Sequence, residues 1–323
     1  MRPLIVRITL IIYLVACVLG PGEGLGWSFR PSMKARMGCD RPGSGWACIM
    51  GMESVRRALS DYGLRHVAHQ RAVRGRLCID RWALAARHRV VAGVSPARRG
   101  RILAYHSIGT PEWGVNDVSP RDFERHLQIA VDDGWSFATP AEVIAEPDKP
   151  QLALTFDDGL TSVLANALPV LRHHGIPATA FLVTGWADGR LPDSSRPLVL
   201  DWRGASALRE GGMSLASHSV THPDFGRLEP GEARRELETS REQLRRVLDA
   251  ETDEFAIPLG QSSNWTQAAG LAAAEAGYTT VYAQCVNTRP EGTIERTFIT
   301  RIDRPVLFRA ALAGAYDDWE EWC

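Results

Sequence analysis

From Arg101 onward, short apolar runs alternate with amphipathic stretches, and this alternation most narrows what the chain can fold into. Strands are expected over residues 102–105, 151–156, 178–183, 213–216, 254–257 and 279–283. Helices are expected over 119–133, 162–174, 202–211, 230–250, 266–276 and 306–315. Ser119 suits an N-cap, while Gly175 and Pro177 stop the helix before them. Strands that alternate with helices build a parallel sheet whose crossovers cover it, so the fold class is α/β. Polar residues fall immediately after strands, which is where α/β barrels assemble active sites.

Two of those strand ends carry chemistry. The run Leu152-Ala153-Leu154 leads into Thr155-Phe156-Asp157-Asp158-Gly159, and about sixty residues later comes His218-Ser219-Val220-Thr221-His222-Pro223. Neighbouring carboxylates on extended backbone point to opposite sides, so Asp157 and Asp158 can take different roles. One carboxylate with two imidazoles is a three-ligand set that leaves positions open on a divalent ion, as a hydrolytic site needs. Taken singly each motif has a plainer use. Asp-Asp-Gly can be a turn that caps the next helix, and a His pair at this spacing can be surface or core. Their joint placement after strands points to a metal-dependent hydrolase.

These residues resemble the polysaccharide deacetylase family, carbohydrate esterase family 4, with its NodB homology domain. The matching stretches are Thr155–Gly159, His218–Pro223 and Phe255-Ala256-Ile257-Pro258-Leu259-Gly260. Leu103-Ala104-Tyr105-His106-Ser107-Ile108 resembles the opening strand of the bacterial exopolysaccharide deacetylase branch. The resemblance implies a distorted (β/α)7 barrel over residues 101–323 that removes acetyl groups from N-acetylated sugars of a polysaccharide or glycoconjugate. It implies Asp158, His218 and His222 as ligands of a divalent metal, with Zn²⁺ expected, and Asp157 as general base. Trp202, Pro258 and Leu259 are the implied substrate contacts.

The sequence departs from the family in two places. The Arg that usually orients the base is replaced by Ala256, and no histidine follows His222 to act as general acid. His106, from the early Tyr-His pair, is the expected acid, against a plain structural role at a strand end. Arg301 is the expected substitute for the orienting Arg, against an exposed salt bridge. Two other activities stay open: deformylation or other amide hydrolysis on a sugar, and carbohydrate binding without turnover.

Charge divides the chain. Residues 1–101 hold 18 Lys+Arg against 5 Asp+Glu, and the remainder holds 19 against 33. Residues 25–100 show scattered Arg, Trp, Gly and Cys without sustained periodicity, so they are expected to be a poorly ordered leader or a start-site artefact. Their charges are spread rather than clustered, and no nucleic-acid partner is expected. Residues 1–24 combine Arg2 and Arg7 with an apolar core and a Leu14-Val15-Ala16-Cys17 box, as in a signal or lipoprotein-type leader. Membrane attachment through this end and a cell-envelope location are expected if it is retained, and a cytoplasmic location otherwise. The six cysteines show no metal-type spacing, and four of them precede residue 101.

Overall fold

The computed structural model describes residues 75–88, 99–191 and 198–320. The N-terminal apolar core, its cysteine box and most of the basic segment lie outside the described residues. A compact unit spans Arg81–Cys323. The unit thus begins some twenty residues before the boundary expected at 101. Residues 75–88 are helical. Arg81 is buried and ion-paired at 2.7 Å to the buried Asp303. Its guanidinium also lies 4.5 Å from the ring centre of Tyr316.

Ten strands are present among the described residues: β1 (Arg101–Tyr105), β2 (Ser107–Ile108), β3 (Asp117–Val118), β4 (Ser136–Phe137), β5 (Gln151–Phe156), β6 (Ala178–Leu182), β7 (Ser214–Ser217), β8 (Glu254–Ala256), β9 (Thr280–Tyr282) and β10 (Thr297–Phe298). The main sheet runs β10-β1-β5-β6-β7-β8-β9, with β4 beside the start of β5. Every pairing in it is parallel. Its two ends meet through a parallel bridge between Tyr282 and Ile294, just ahead of β10. The result is a seven-stranded curled barrel path, irregular where β9 and β10 face one another.

The expected helices occur, most with boundaries a residue or two shorter; the last runs Pro305–Leu312, and the first half of 162–174 is a π-helical turn, Val163–Ala167, that leads into Leu168–His174. Ser119 accepts the backbone N–H of Asp122 at the start of Pro120–Asp132. Gly175 takes a left-handed conformation after Leu168–His174. The strand β10 and the short helix Pro140–Ala145 were not expected.

Register places Ile102 beside Ala153 and Phe181 beside Ala216, and these residues join Ala256 and Tyr282 in one buried cluster. Alanines on three strands leave room for the rings of Phe181 and Tyr282, so the barrel interior is packed rather than open. A second cluster, with Phe225, Phe255, Trp265 and Tyr278, lies with Ala233 and Leu237 of Pro230–Leu248 and Ala269, Ala272 and Ala273 of Gln267–Glu275. Among the described residues, no helix is long and apolar enough to cross a membrane.

A buried polar chain links β1 to the last helix. The Tyr105 hydroxyl lies 3.1 Å from His126 Nδ1, while His126 Nε2 bonds the Asp303 carbonyl and its ring stacks on Phe308 at 4.1 Å. Burial pulls the His126 pKa below its ordinary value, against the bond to Asp303 and the nearby carboxylates of Asp303 and Asp122. A depressed folded-state pKa means that the unfolded chain takes up the proton first. Stability is therefore full above about pH 6.5 and falls as the pH drops below that value. We expect the urea midpoint to decrease from pH 7.5 to pH 5.5, and less steeply in His126→Gln. An equal slope in the two chains would remove His126 from this account.

Candidate metal centre

The C-terminal ends of β5 and β7 bring the two sequence motifs together. Asp158 follows β5 with a φ of 72°, a left-handed conformation that Asp tolerates better than most residues. The segment after β7 turns through positive φ at Ser219 and His222. Glu236, from Pro230–Leu248, holds that turn by accepting the Val220 and Thr221 N–H groups at 2.8 and 2.9 Å and the Thr221 hydroxyl at 2.8 Å. The Ser219 hydroxyl accepts the His222 N–H at 2.9 Å. His218 and His222 are therefore fixed by a tied loop and not by a helical turn.

Asp158 Oδ1 lies 3.6 Å from His218 Nε2 and 3.5 Å from His222 Nε2. One donor atom from each residue falls within 4.8 Å of the others. His218 Nδ1 lies 2.8 Å from the Ala256 carbonyl, which fixes the tautomer and aims Nε2 at Asp158. Burial lowers the His218 pKa to about 4, with His222 acting the same way and Asp157 and Asp158 opposing. The imidazole is thus neutral, the form that ligates.

The residues fit a divalent cation. Asp158 Oδ1 is buried with no hydrogen-bond partner, a costly state for a carboxylate oxygen. Donors at about 2.1 Å from a four-coordinate ion stand roughly 3.4 Å apart, close to both Asp–His separations.

Asp157 belongs to a different network. Arg296 grips it through two bonds of 2.7 and 2.8 Å, and both side chains are almost fully buried. The Arg296 Nε–H donates to the Ala283 carbonyl, and its guanidinium lies 5.2 Å from the Phe181 ring centre. Burial alone would raise the Asp157 pKa. The Arg296 charge and hydrogen bonds, with His218 and His106, overcome it and hold the carboxyl well below the usual range. The group is therefore an anion with a fixed orientation.

Arg296 also corrects the expectation for Arg301. The guanidinium on Asp157 comes from the residue preceding β10, whereas Arg301 donates to the Gly114 carbonyl at 3.2 Å. The stretch Ile294-Glu295-Arg296-Thr297-Phe298 carries the available signal: apolar residues at period two bracket an Arg, which places it on the inward face. His106 follows β1, is buried, and has an unpartnered Nδ1; its ring lies edge-on to Phe298 at 5.4 Å.

The other expected contacts sit as follows. Pro258 and Leu259 follow β8, Pro258 buried and Leu259 37% exposed with a φ of 65°. At the adjacent Gly260, a Cβ would lie 2.2 Å from the Gln284 side chain, so only glycine fits. Trp202 begins Trp202–Glu210, and its indole N–H donates to Asp188 at 2.5 Å. Sequence reading missed Trp113, whose indole N–H donates to Asp158 Oδ2 at 3.2 Å.

Residues 144–281 match the family model for polysaccharide deacetylase. YxkH of Bacillus subtilis (strain 168), a polysaccharide deacetylase by name, is 28% identical over 195 residues, which are 58% of this chain and 64% of that protein. A chitooligosaccharide deacetylase of Bradyrhizobium sp. (strain ANU 289) is 33% identical over 131 residues, or 40% of this chain and 53% of the relative. The chain thus spans less than two-thirds of either relative. Among solved structures, the Streptococcus pyogenes deacetylase PplD in complex with acetate superposes with a TM-score of 0.56 at 24% identity, covering 66% of this chain and 98% of that one. IcaB from Ammonifex degensii gives 0.55 at 22% identity, covering 67% and 98%. At these identities the likeness establishes the fold, the NodB-type deacetylase barrel.

Proposed function

We propose that this chain, whose residues 144–281 match the polysaccharide deacetylase family, hydrolyses the acetamide of N-acetylated sugars in a polysaccharide or oligosaccharide. The observation that carries the proposal is the buried, unpartnered Asp158 Oδ1 between two imidazoles, next to an Asp157 anion that Arg296 holds in place. The relatives' names support an N-acetylated glycan as substrate.

Asp158, His218 and His222 would hold a divalent ion, Zn²⁺ in the first instance. When bound, it supplies Lewis-acid polarisation of the acyl oxygen and a lowered pKa for water. The remaining steps fall to side chains. Asp157, charged at neutral pH, accepts the proton lost by the attacking water as its oxygen bonds the acyl carbon. The carbon–nitrogen bond then breaks to give acetate, and the leaving nitrogen needs a proton. His106 is the proposed donor: it is within electrostatic reach of Asp157, and its Nδ1 makes no competing bond. The Arg296 clamp keeps Asp157 from turning away while it carries the proton.

The test is acetate release from N-acetylglucosamine oligomers by the full chain, stripped of metal and then given Zn²⁺, with N-formyl analogues in parallel. Acetate that returns with Zn²⁺ is the expected result. Formate release alone would replace the acetyl specificity and keep the reaction class. Neither product, from a chain that binds Zn²⁺, would defeat the proposal.

A further inference from the structure

We infer that Trp113 is a positioning residue for the Asp158 ligand, and that Arg301 acts through it by fixing the loop on which Trp113 stands. The inference rests on the reading of Asp158, His218 and His222 as metal ligands. Asp158 has two oxygens with different surroundings. Oδ2 accepts the Trp113 indole N–H at 3.2 Å, whereas Oδ1 faces His218 and His222 with no hydrogen bond. A carboxylate bonded through one oxygen cannot rotate freely, so the indole reserves Oδ1 as the single donor to the ion. Hydrogen bonds of this outer kind orient ligands and tune affinity.

The indole is itself held on several sides. Trp113 lies in Pro111–Asn116, which turns sharply at Gly114 with φ 72° and ψ −129°. Both ends of the loop are tied: β2 pairs with β3, and Asp117 Oδ1 accepts the Ser107 hydroxyl at 2.8 Å and the Thr110 N–H at 2.6 Å. Arg301 ties its middle, donating from the side chain to the Gly114 carbonyl at 3.2 Å and from its N–H to the Val115 carbonyl at 3.0 Å. Trp186 completes the arrangement. Its ring stacks on His222 at 5.6 Å and meets Trp113 edge-on at 6.5 Å. Two of the three ligands are thus backed by a pair of indoles in contact with each other.

The test compares the full-length wild type, Trp113→Phe and Arg301→Met by Zn²⁺ competition against a chromophoric chelator, Co²⁺ absorption, and thermal melting without metal. Phe keeps the ring and removes only the N–H. Trp113→Phe should bind Zn²⁺ roughly ten- to a hundredfold more weakly and shift the Co²⁺ spectrum, with unchanged metal-free melting. Arg301→Met should weaken binding in the same direction by a smaller factor. Unchanged affinity and spectrum in Trp113→Phe overturn the inference. If Trp113→Phe also melts lower, Arg301→Met decides: weaker Zn²⁺ binding supports the inference, and wild-type binding overturns it. A wild type that binds Zn²⁺ but releases no acetate overturns the deacetylase reading alone, because the affinity ratio still judges Trp113. A wild type that binds no Zn²⁺ overturns both.

Discussion

A chain carrying Asp158→Asn is expected to fold as the wild type does, yet to bind Zn²⁺ poorly and release acetate at less than about a thousandth of its rate. The first half follows from the backbone. Position 158 is left-handed, and Asn accepts that conformation as readily as Asp, so the turn after β5 survives. The second half follows from charge and donor set. The substitution removes the carboxylate charge that two neutral imidazoles cannot supply, and a bound ion is worth several kcal/mol to the reaction. About 4 kcal/mol corresponds to roughly a thousandfold in rate. The Trp113 N–H can still bond the amide oxygen, which would then be turned away from the histidines. Acetate assays and chelator competition on the same preparation test this. Near wild-type turnover with weakened Zn²⁺ binding would mean that the group does not act in catalysis.

Arg296→Met is expected to damage both folding and chemistry. The wild-type pair is almost wholly buried, and removing one partner strands the other without counter-charge. Such losses typically cost about 3–5 kcal/mol, which for a unit of this size lowers the melting temperature by ~10 °C. Relief is available to the protein if Asp157 takes up a proton, since burial already pushes its pKa upward and Arg296 is the largest opposing influence. A protonated Asp157 cannot receive another proton, so activity should fall even well below the melting temperature. Arg296→Lys should recover part of the stability and less of the activity, because an ammonium restores charge without the two-pronged grip. Thermal melts and acetate assays of the two variants provide the check. A Met variant as stable as the wild type would show that the buried pair contributes little.

What could be read from the sequence was local. The Asp-Asp and His-x-x-x-His motifs each lie within a few residues, and the strand that delivers each shows its apolar run immediately before. Helix ends were legible for the same reason, since Ser119 and Gly175 act on their own neighbours. The partner of Asp157 was not legible, because Arg296 is 139 residues away and reaches it only when the barrel path curls round. The two-residue strand β10 is too short to stand out from the chain around it. Trp113 was invisible for a related reason: its meaning depends on a bond to one particular oxygen of Asp158. Arg301 was assigned from its place near a strand end, and the fold uses it to fasten a loop. The helix at residues 75–88 was not expected, because the segment before residue 101 lacks sustained periodicity.

That last point bears on how the protein can be divided. Arg81 neutralises Asp303, and Asp303 in turn accepts the backbone N–H and hydroxyl of Thr300. Thr300 lies two residues beyond β10, four beyond the Arg that grips Asp157, and next to the Arg that braces the Trp113 loop. Trimming to the motif-bearing segment from residue 101 would remove Arg81 and leave the buried Asp303 without its counter-charge. A cut at residue 101 would thus take away the counter-charge of a residue that the motif-bearing segment keeps, whereas a piece that retains residues 75–88 preserves the pair.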